Sequence, residues 1–305
     1  MIFDKIVTYS LIGSCFVGMK KLSYLFIFFF CVQTVCADII SEYSEARLLD
    51  FMNLHMQITA EKTNASALAC ISKFKEETDA VLKNYAVDFE QEQAIYETFY
   101  VMEEYHYLDI PYKENKDYRS RLKAQMKLNE SIIKNREETS ENSVSKWMYL
   151  CTGDIMSAYM TRSVPATLHY GFKVKKFYER ALEISPTFTN ANVNIGNWLY
   201  YAPRIAGGGM SKAEKRYKFA LDGARNNGER YYALLHLSQY YYSNGNKNDA
   251  QKYLDEASNL ISDGKEVAII KKLNQNGMHL FQYYRNQAGI DEKMKESDMD
   301  EDDKD

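Results

Sequence analysis

Three alanines, Ala181, Ala220 and Ala257, recur at intervals of 39 and 37 residues, each at the same place in a similar helix-forming stretch. The pattern is most complete in "LLHLSQYYYSNGNKNDAQKYLDEASNL". There Leu234, Leu237, Ser238 and Tyr241 fall at the large, large, small and aromatic positions of one helix, and Gly245 ends it. Ala250, Leu254 and Ala257 then supply small, large and small positions on a second helix. Antiparallel helices approach closely only where small side chains oppose large ones. A unit of two helices cannot bury its apolar face alone, so such units must stack. The repeat therefore predicts an all-α solenoid of helical hairpins. With only 14 Gly and 4 Pro in 305 residues, the composition agrees.

Two earlier stretches follow the same grammar. Asn192, Ile195, Gly196 and Leu199 form a first helix, with Ala213, Tyr217 and Ala220 on its partner. Before them, Trp147, Leu150 and Cys151 open a first helix, and Val174, Tyr178, Ala181 and the terminating Pro186 complete a second. The connections are enlarged, one containing Pro165 and Gly171, the other Pro203 to Gly209. The three units resemble the tetratricopeptide repeat, whose period is roughly 34 residues. Residues 146–290 are thus expected to hold repeats, with Glu266 to Arg285 as one capping helix over the last. Residues 38–145 read as an additional N-terminal helical region. Its apolar periodicities run through Leu48, Leu49, Met52, Met56 and Ile58; Ala67, Cys70, Ile71, Phe74, Val81, Leu82 and Tyr85; Ile95, Phe99 and Met102; and Leu122, Met126, Ile132 and Ile133. Ala124, Leu128 and Ser131 have second-helix spacing, so a degenerate fourth repeat is expected there, and Glu137 to Ser143 reads as a loop.

The N-terminus reads as a targeting segment. Met19, the expected true start, opens a short basic region with Lys20 and Lys21; Leu22 to Val35 is apolar, and Val35-Cys36-Ala37 offers a cleavage site before Asp38. Residues 1–37 are therefore expected to be a signal peptide, and the chain exported, to a periplasm. Attachment by lipid through Cys36 is the alternative. Cys70 and Cys151 remain after cleavage, and nothing in their spacing demands a bridge. From Asp291 onward nine acidic and three basic residues form a tail expected to be disordered; without it the exported chain is close to neutral, which argues against nucleic acid as a partner.

No residue pattern carries recognisable chemistry. Gly207-Gly208-Gly209 lacks the Lys-Ser/Thr of a nucleotide-binding loop and the strand of a dinucleotide site. The stretch reads instead as an enlarged turn: Pro203 ends one helix, the glycines supply unusual backbone geometry, and Ser211 with Glu214 has the spacing of a capping box opening the next. Arg204 beside that helix start could hold a carboxylate. His55, His106, His169, His236 and His279 are scattered without ligand spacing, and no nucleophile motif occurs. Neither a metal nor a cofactor is expected, nor catalysis. Among 25 tyrosines, Tyr200, Tyr201, Tyr231, Tyr232, Tyr240 and Tyr242 lie in the repeat helices. Neighbours on a helix differ by about 100 degrees, so some of them must leave the core and form a binding surface. The alternative is that they are core fillers with wet hydroxyls.

The turn Pro203-Arg204-Ile205-Ala206-Gly207-Gly208-Gly209, followed by Lys212-Ala213-Glu214 in an exported repeat protein, resembles the T-component proteins associated with TRAP transporters. That resemblance implies a periplasmic or lipid-anchored scaffold that forms oligomers and engages a solute-binding protein. The expected function is protein binding through concave, tyrosine-rich faces. A carrier or sensor of a small apolar ligand, and an envelope assembly factor, are the competing readings.

Overall fold

The computed structural model describes residues 40–61, 63–107, 116–140, 143–160, 163–262, 264–286 and 289–292. The expected signal peptide, Met19, Cys36 and most of the acidic tail lie outside the described residues. All the described elements are helical: α1 (Glu42–Ile58), α2 (Asn64–Tyr85), α3 (Phe89–Tyr107), α4 (Lys116–Thr139), α5 (Lys146–Met160), α6 (Val164–Ile184), α7 (Thr189–Tyr201), α8 (Met210–Asp222), α9 (Asn227–Ser243), α10 (Lys247–Leu260), α11 (Lys265–Gln275) and α12 (Leu280–Arg285). None is long and apolar enough to cross a membrane.

Pairs α5/α6, α7/α8 and α9/α10 pack as successive hairpins, and each also touches the next, so the predicted all-α hairpin solenoid is the fold observed. Asn226 and Asn246, like Ser41, Thr63 and Ser163 before them, cap helix starts by accepting a backbone N–H three residues on. In the α5/α6 and α7/α8 hairpins the tight contact is glycine against tyrosine. A Cβ on Gly196 would come within 2.7 Å of the Tyr217 ring, and one on Gly153 within 2.5 Å of Tyr178. Gly153, two residues beyond Cys151, is therefore the small residue of the first hairpin, and the register expected from Trp147, Leu150 and Cys151 moves by two.

Three other expectations change. Ala124, Leu128 and Ser131 lie on the exposed side of α4, which buries Leu122, Met126, Asn129 and Ile133 instead, so they are not the packed face of a fourth repeat. Glu137 to Thr139 continue α4 rather than opening a loop. The single capping helix is two helices, broken where Gly277 takes φ +71.

α1 crosses the N-terminal ends of the repeat helices rather than forming another hairpin. Glu45 pairs with Lys146 (3.1 Å) and Arg225 (2.7 Å) and accepts from the Trp147 indole. The Leu49 carbonyl accepts from Asn226 (2.8 Å), and the Asn53 side chain accepts from the Gly228 N–H (2.9 Å). Gly228 has no room for a side chain there, since a Cβ would stand 2.1 Å from the Met52 carbonyl. At the other end α12 inserts Phe281, 1% exposed, among Tyr200, Tyr217 and His236, with ring centroids 4.2, 6.3 and 6.3 Å away. Tyr201 Oη donates to the Phe281 carbonyl (2.9 Å), and the Leu280 N–H donates to Gln239 (3.0 Å).

Candidate functional site

Between the crossings of α1 and α12, α5, α7 and α9 present a connected set of polar groups. Asp154 on α5 accepts from Tyr178 Oη (2.9 Å) and Asn194 Nδ2 (2.6 Å), and Asn194 Oδ1 accepts from Tyr232 Oη (2.8 Å). Burial pushes the Asp154 carboxyl up to about 7, and the two donated hydrogen bonds only partly oppose that shift. One turn along α9 from Tyr232, His236 stacks edge-on with its ring (4.4 Å) and donates from Nδ1 to its carbonyl (2.9 Å). Burial drives this imidazole down to about 4, so it is neutral at physiological pH and behaves as an aromatic member of the Phe281 cluster.

A second group joins α1, α3 and α11. His55 Nδ1 lies 2.5 Å from Glu103 Oε1, and Nε2 lies 3.7 Å from Glu266 Oε1. Burial alone would lower this imidazole, but the Glu103 charge and hydrogen bond, followed by the Glu266 charge, outweigh it and raise it to about 9. His55 is thus a cation held between two carboxylates. This pairing joins helices distant in sequence, so no spacing of residues announces it. Among the described residues no group of His, Cys, Asp or Glu is arranged to hold a metal ion. Cys70 and Cys151 are free thiols, and burial raises both, leaving little thiolate for nucleophilic work.

The six candidate tyrosines divide. Tyr231 is 0% and Tyr240 5% exposed, so both belong to the core and leave the expected surface. Tyr200, Tyr232 and Tyr242 are half-buried, with Tyr232 bonded to Asn194 and Tyr242 donating to the Asn274 carbonyl (2.6 Å). Tyr201 remains 39% exposed and is joined near Phe281 by Tyr284, 47% exposed and 6.5 Å from His236. In the sequence Tyr284 reads as one of a consecutive tyrosine pair, Tyr283-Tyr284, beside the repeat helices but not among the six chosen for the surface; the break at Gly277 brings it to the repeats.

The glycine turn is built differently from the capping-box expectation. α7 stops at Tyr201 before Pro203, and a short 3-10 helix spans Arg204–Ala206. Gly207 takes φ +92, which favours glycine, and Gly208 lies against the Ala202 carbonyl, where a Cβ would stand at 1.9 Å. α8 starts two residues early, with Gly209 rather than Ser211 at the cap and no side-chain capping bond. Ser211 is an exposed residue of its first turn. Glu214 points across to α9, accepting from Tyr241 Oη (2.9 Å) and Tyr240 Oη (3.4 Å) and pairing with Lys218 (2.7 Å). Arg204 is exposed, and Pro203 caps the 3-10 helix.

The helices thus bring together partly exposed aromatics, a carboxyl that burial raises to about 7 and an imidazolium held between two carboxylates. No family model matches the chain, and no curated protein matches it.

Proposed function

We propose that the protein is an exported, tetratricopeptide-like scaffold that binds a protein partner through the tyrosine-rich rim beside α12. The T-component resemblance names the class of partner, a solute-binding protein or another transporter part, with a homo-oligomer as the assembly. The observation that supports partner binding is the pair Tyr201, 6.0 Å from Phe281, and Tyr284, 6.5 Å from His236, both partly exposed beside a packed aromatic cluster. A rigid aromatic with a polar tip is the type of residue that dominates protein interfaces. The test is capture from an envelope extract with the Tyr201→Ala, Tyr284→Ala double variant as control. A protein retained by wild type and lost by the variant, with helical content unchanged, is expected. Equal retention by both would overturn the reading. Absence of transporter and solute-binding genes near this one would remove the transporter assignment alone.

A second reading takes its support from the buried polar groups Asp154 and His55 with Glu103 and Glu266. It is a carrier whose ligand is polar rather than apolar, since these groups would leave an apolar molecule facing carboxyls. Native mass spectrometry showing a bound small molecule, with no protein captured, would favour it. The envelope-assembly reading has no separate structural observation in its support.

A further inference from the structure

The two enlarged connections share a property that hairpin packing does not require. No Asp or Glu occurs from Ile155 through Tyr178, or from Ile184 through Ala213, although the whole chain carries a formal net charge of −4. Both stretches carry exposed cations, Lys173 and Lys176 in one, Arg204 and Lys212 in the other. They also hold four of the five most exposed large apolar side chains among the described residues: Ile205 at 100%, Leu168 at 79%, Val164 at 73% and Phe172 at 65%.

These residues gather at one end of the hairpins. Val164, Leu168 and Phe172 are four apart on α6 and form one stripe about 12 Å long. The Trp198 indole N–H donates to the Gly171 carbonyl (2.9 Å) and the Trp198 ring lies 6.1 Å from Phe172, tying α7 to α6 at that level. The chain reverses between the two helices in Ser185–Phe188, so the segment after Trp198 lies level with the segment before Gly171. The Gly209 N–H returns to the Leu199 carbonyl (2.9 Å), which leaves Ile205 at the apex of the turn, at the same end as the stripe. Among the described residues the acids that meet α6 side chains already have partners: Glu130 with Lys173 (3.4 Å), Glu179 with Lys175, Glu183 and Glu137 with Arg180 (2.7 and 3.9 Å), and Asp154 with Tyr178 (2.9 Å).

Val, Leu and Ile flanked by lysine are not the types that mark a protein interface, which favours Tyr, Trp, Phe, Met and Arg and is depleted of Lys. They match a surface that rests in the headgroup region of a bilayer, apolar groups inserted and lysines at the phosphates. We propose that this face, formed by the N-terminal half of α6 and the Pro203–Gly209 turn, docks peripherally on an anionic lipid surface. Leu168, Phe172 and Ile205 insert, while Lys176, Arg204 and Lys212 meet lipid phosphates. The tyrosine rim that carries the proposed function is a separate set of residues.

The test is co-sedimentation of the chain from Asp38, which contains the whole described core and lacks the apolar N-terminal run. Vesicles of equal parts phosphatidylglycerol and phosphatidylethanolamine are compared with pure phosphatidylcholine, at low and high salt. Wild type is expected to bind the anionic vesicles preferentially, and less at high salt. Leu168→Gln with Phe172→Gln should weaken that binding at least about tenfold, because two inserted apolar side chains are lost. Its melting temperature should move little, since both side chains are largely exposed and Phe172 gives up only its contact with Trp198. Arg204→Glu with Lys212→Glu should abolish the preference for anionic lipid. Wild type that binds no vesicle overturns the proposal, as does a stripe variant that binds like wild type. Absent vesicle binding, a stripe variant that loses a protein partner or changes oligomeric state would assign the face to that partner or to a second copy instead.

Discussion

At the scale of single residues, the glycine turn shows how one motif divides its work. Gly207 is selected by backbone conformation and Gly208 by space, whereas Gly209 has an extended φ of 164, and a Cβ there would meet nothing nearer than 3.8 Å. Gly208→Ala should therefore cost about 2–4 kcal/mol, because the obstacle is a backbone carbonyl that cannot move aside. Gly209→Ala should stay within about 1 kcal/mol, its main effect being a poorer helix cap. Thermal unfolding followed by circular dichroism separates the two; equal losses would show that the turn is not held by the Ala202 contact. Three adjacent glycines look alike in the sequence because neither φ nor the position of Ala202 is a local property.

At the scale of elements, α12 has only six residues and cannot be stable by itself. It is held by Phe281 in the aromatic cluster, by Gln239 on its first amide and by Tyr201 on the Phe281 carbonyl. Phe281→Ala removes a fully buried ring and should cost about 3–5 kcal/mol in that region. Limited proteolysis should then cut at Asn276–His279 while helical content falls only slightly; a segment that stays protected would show that α12 is anchored elsewhere. The hairpins themselves were legible from small residues facing large ones. The break between α11 and α12 was not, because Gly277 interrupts an otherwise continuous apolar periodicity and its φ is set by the docking of α12.

At the scale of the molecule, α1 joins the ends of hairpins that a solenoid would otherwise leave open, and His55 ties it to α3 and α11. The His55 pKa is raised from 6.5 to about 9, so its stabilising contribution is complete below pH 6.5 and is lost as pH rises through 9. With its side chain 23% exposed, the ceiling is about 3 kcal/mol. Denaturant unfolding of wild type should therefore weaken between pH 7 and 9, and His55→Gln should remove most of that slope while being least stable relative to wild type near pH 6. Asp154 acts in the same sense at lower pH, since its raised pKa favours the fold below 3.8 and that contribution is lost as pH rises through 7. His236 acts oppositely: its lowered pKa contributes stability above 6.5 that is lost as pH falls through 4. A His55→Gln profile parallel to wild type would exclude the caged imidazolium.

The sequence by itself determined the class of fold and the position of the three hairpins, because small-to-large spacing within a helix pair is a local pattern that stacking alone can satisfy. Tertiary structure decided which tyrosines are core and which are rim, that Gly153 rather than Cys151 meets Tyr178, and that Glu214 bonds to tyrosines of α9 instead of its own helix start. It also decided the encounters of His55 with Glu103 and of Asp154 with Asn194, which lie 48 and 40 residues apart. Such contacts depend on how neighbouring hairpins rotate against each other and on where α1 crosses them, and periodicity along one helix specifies neither.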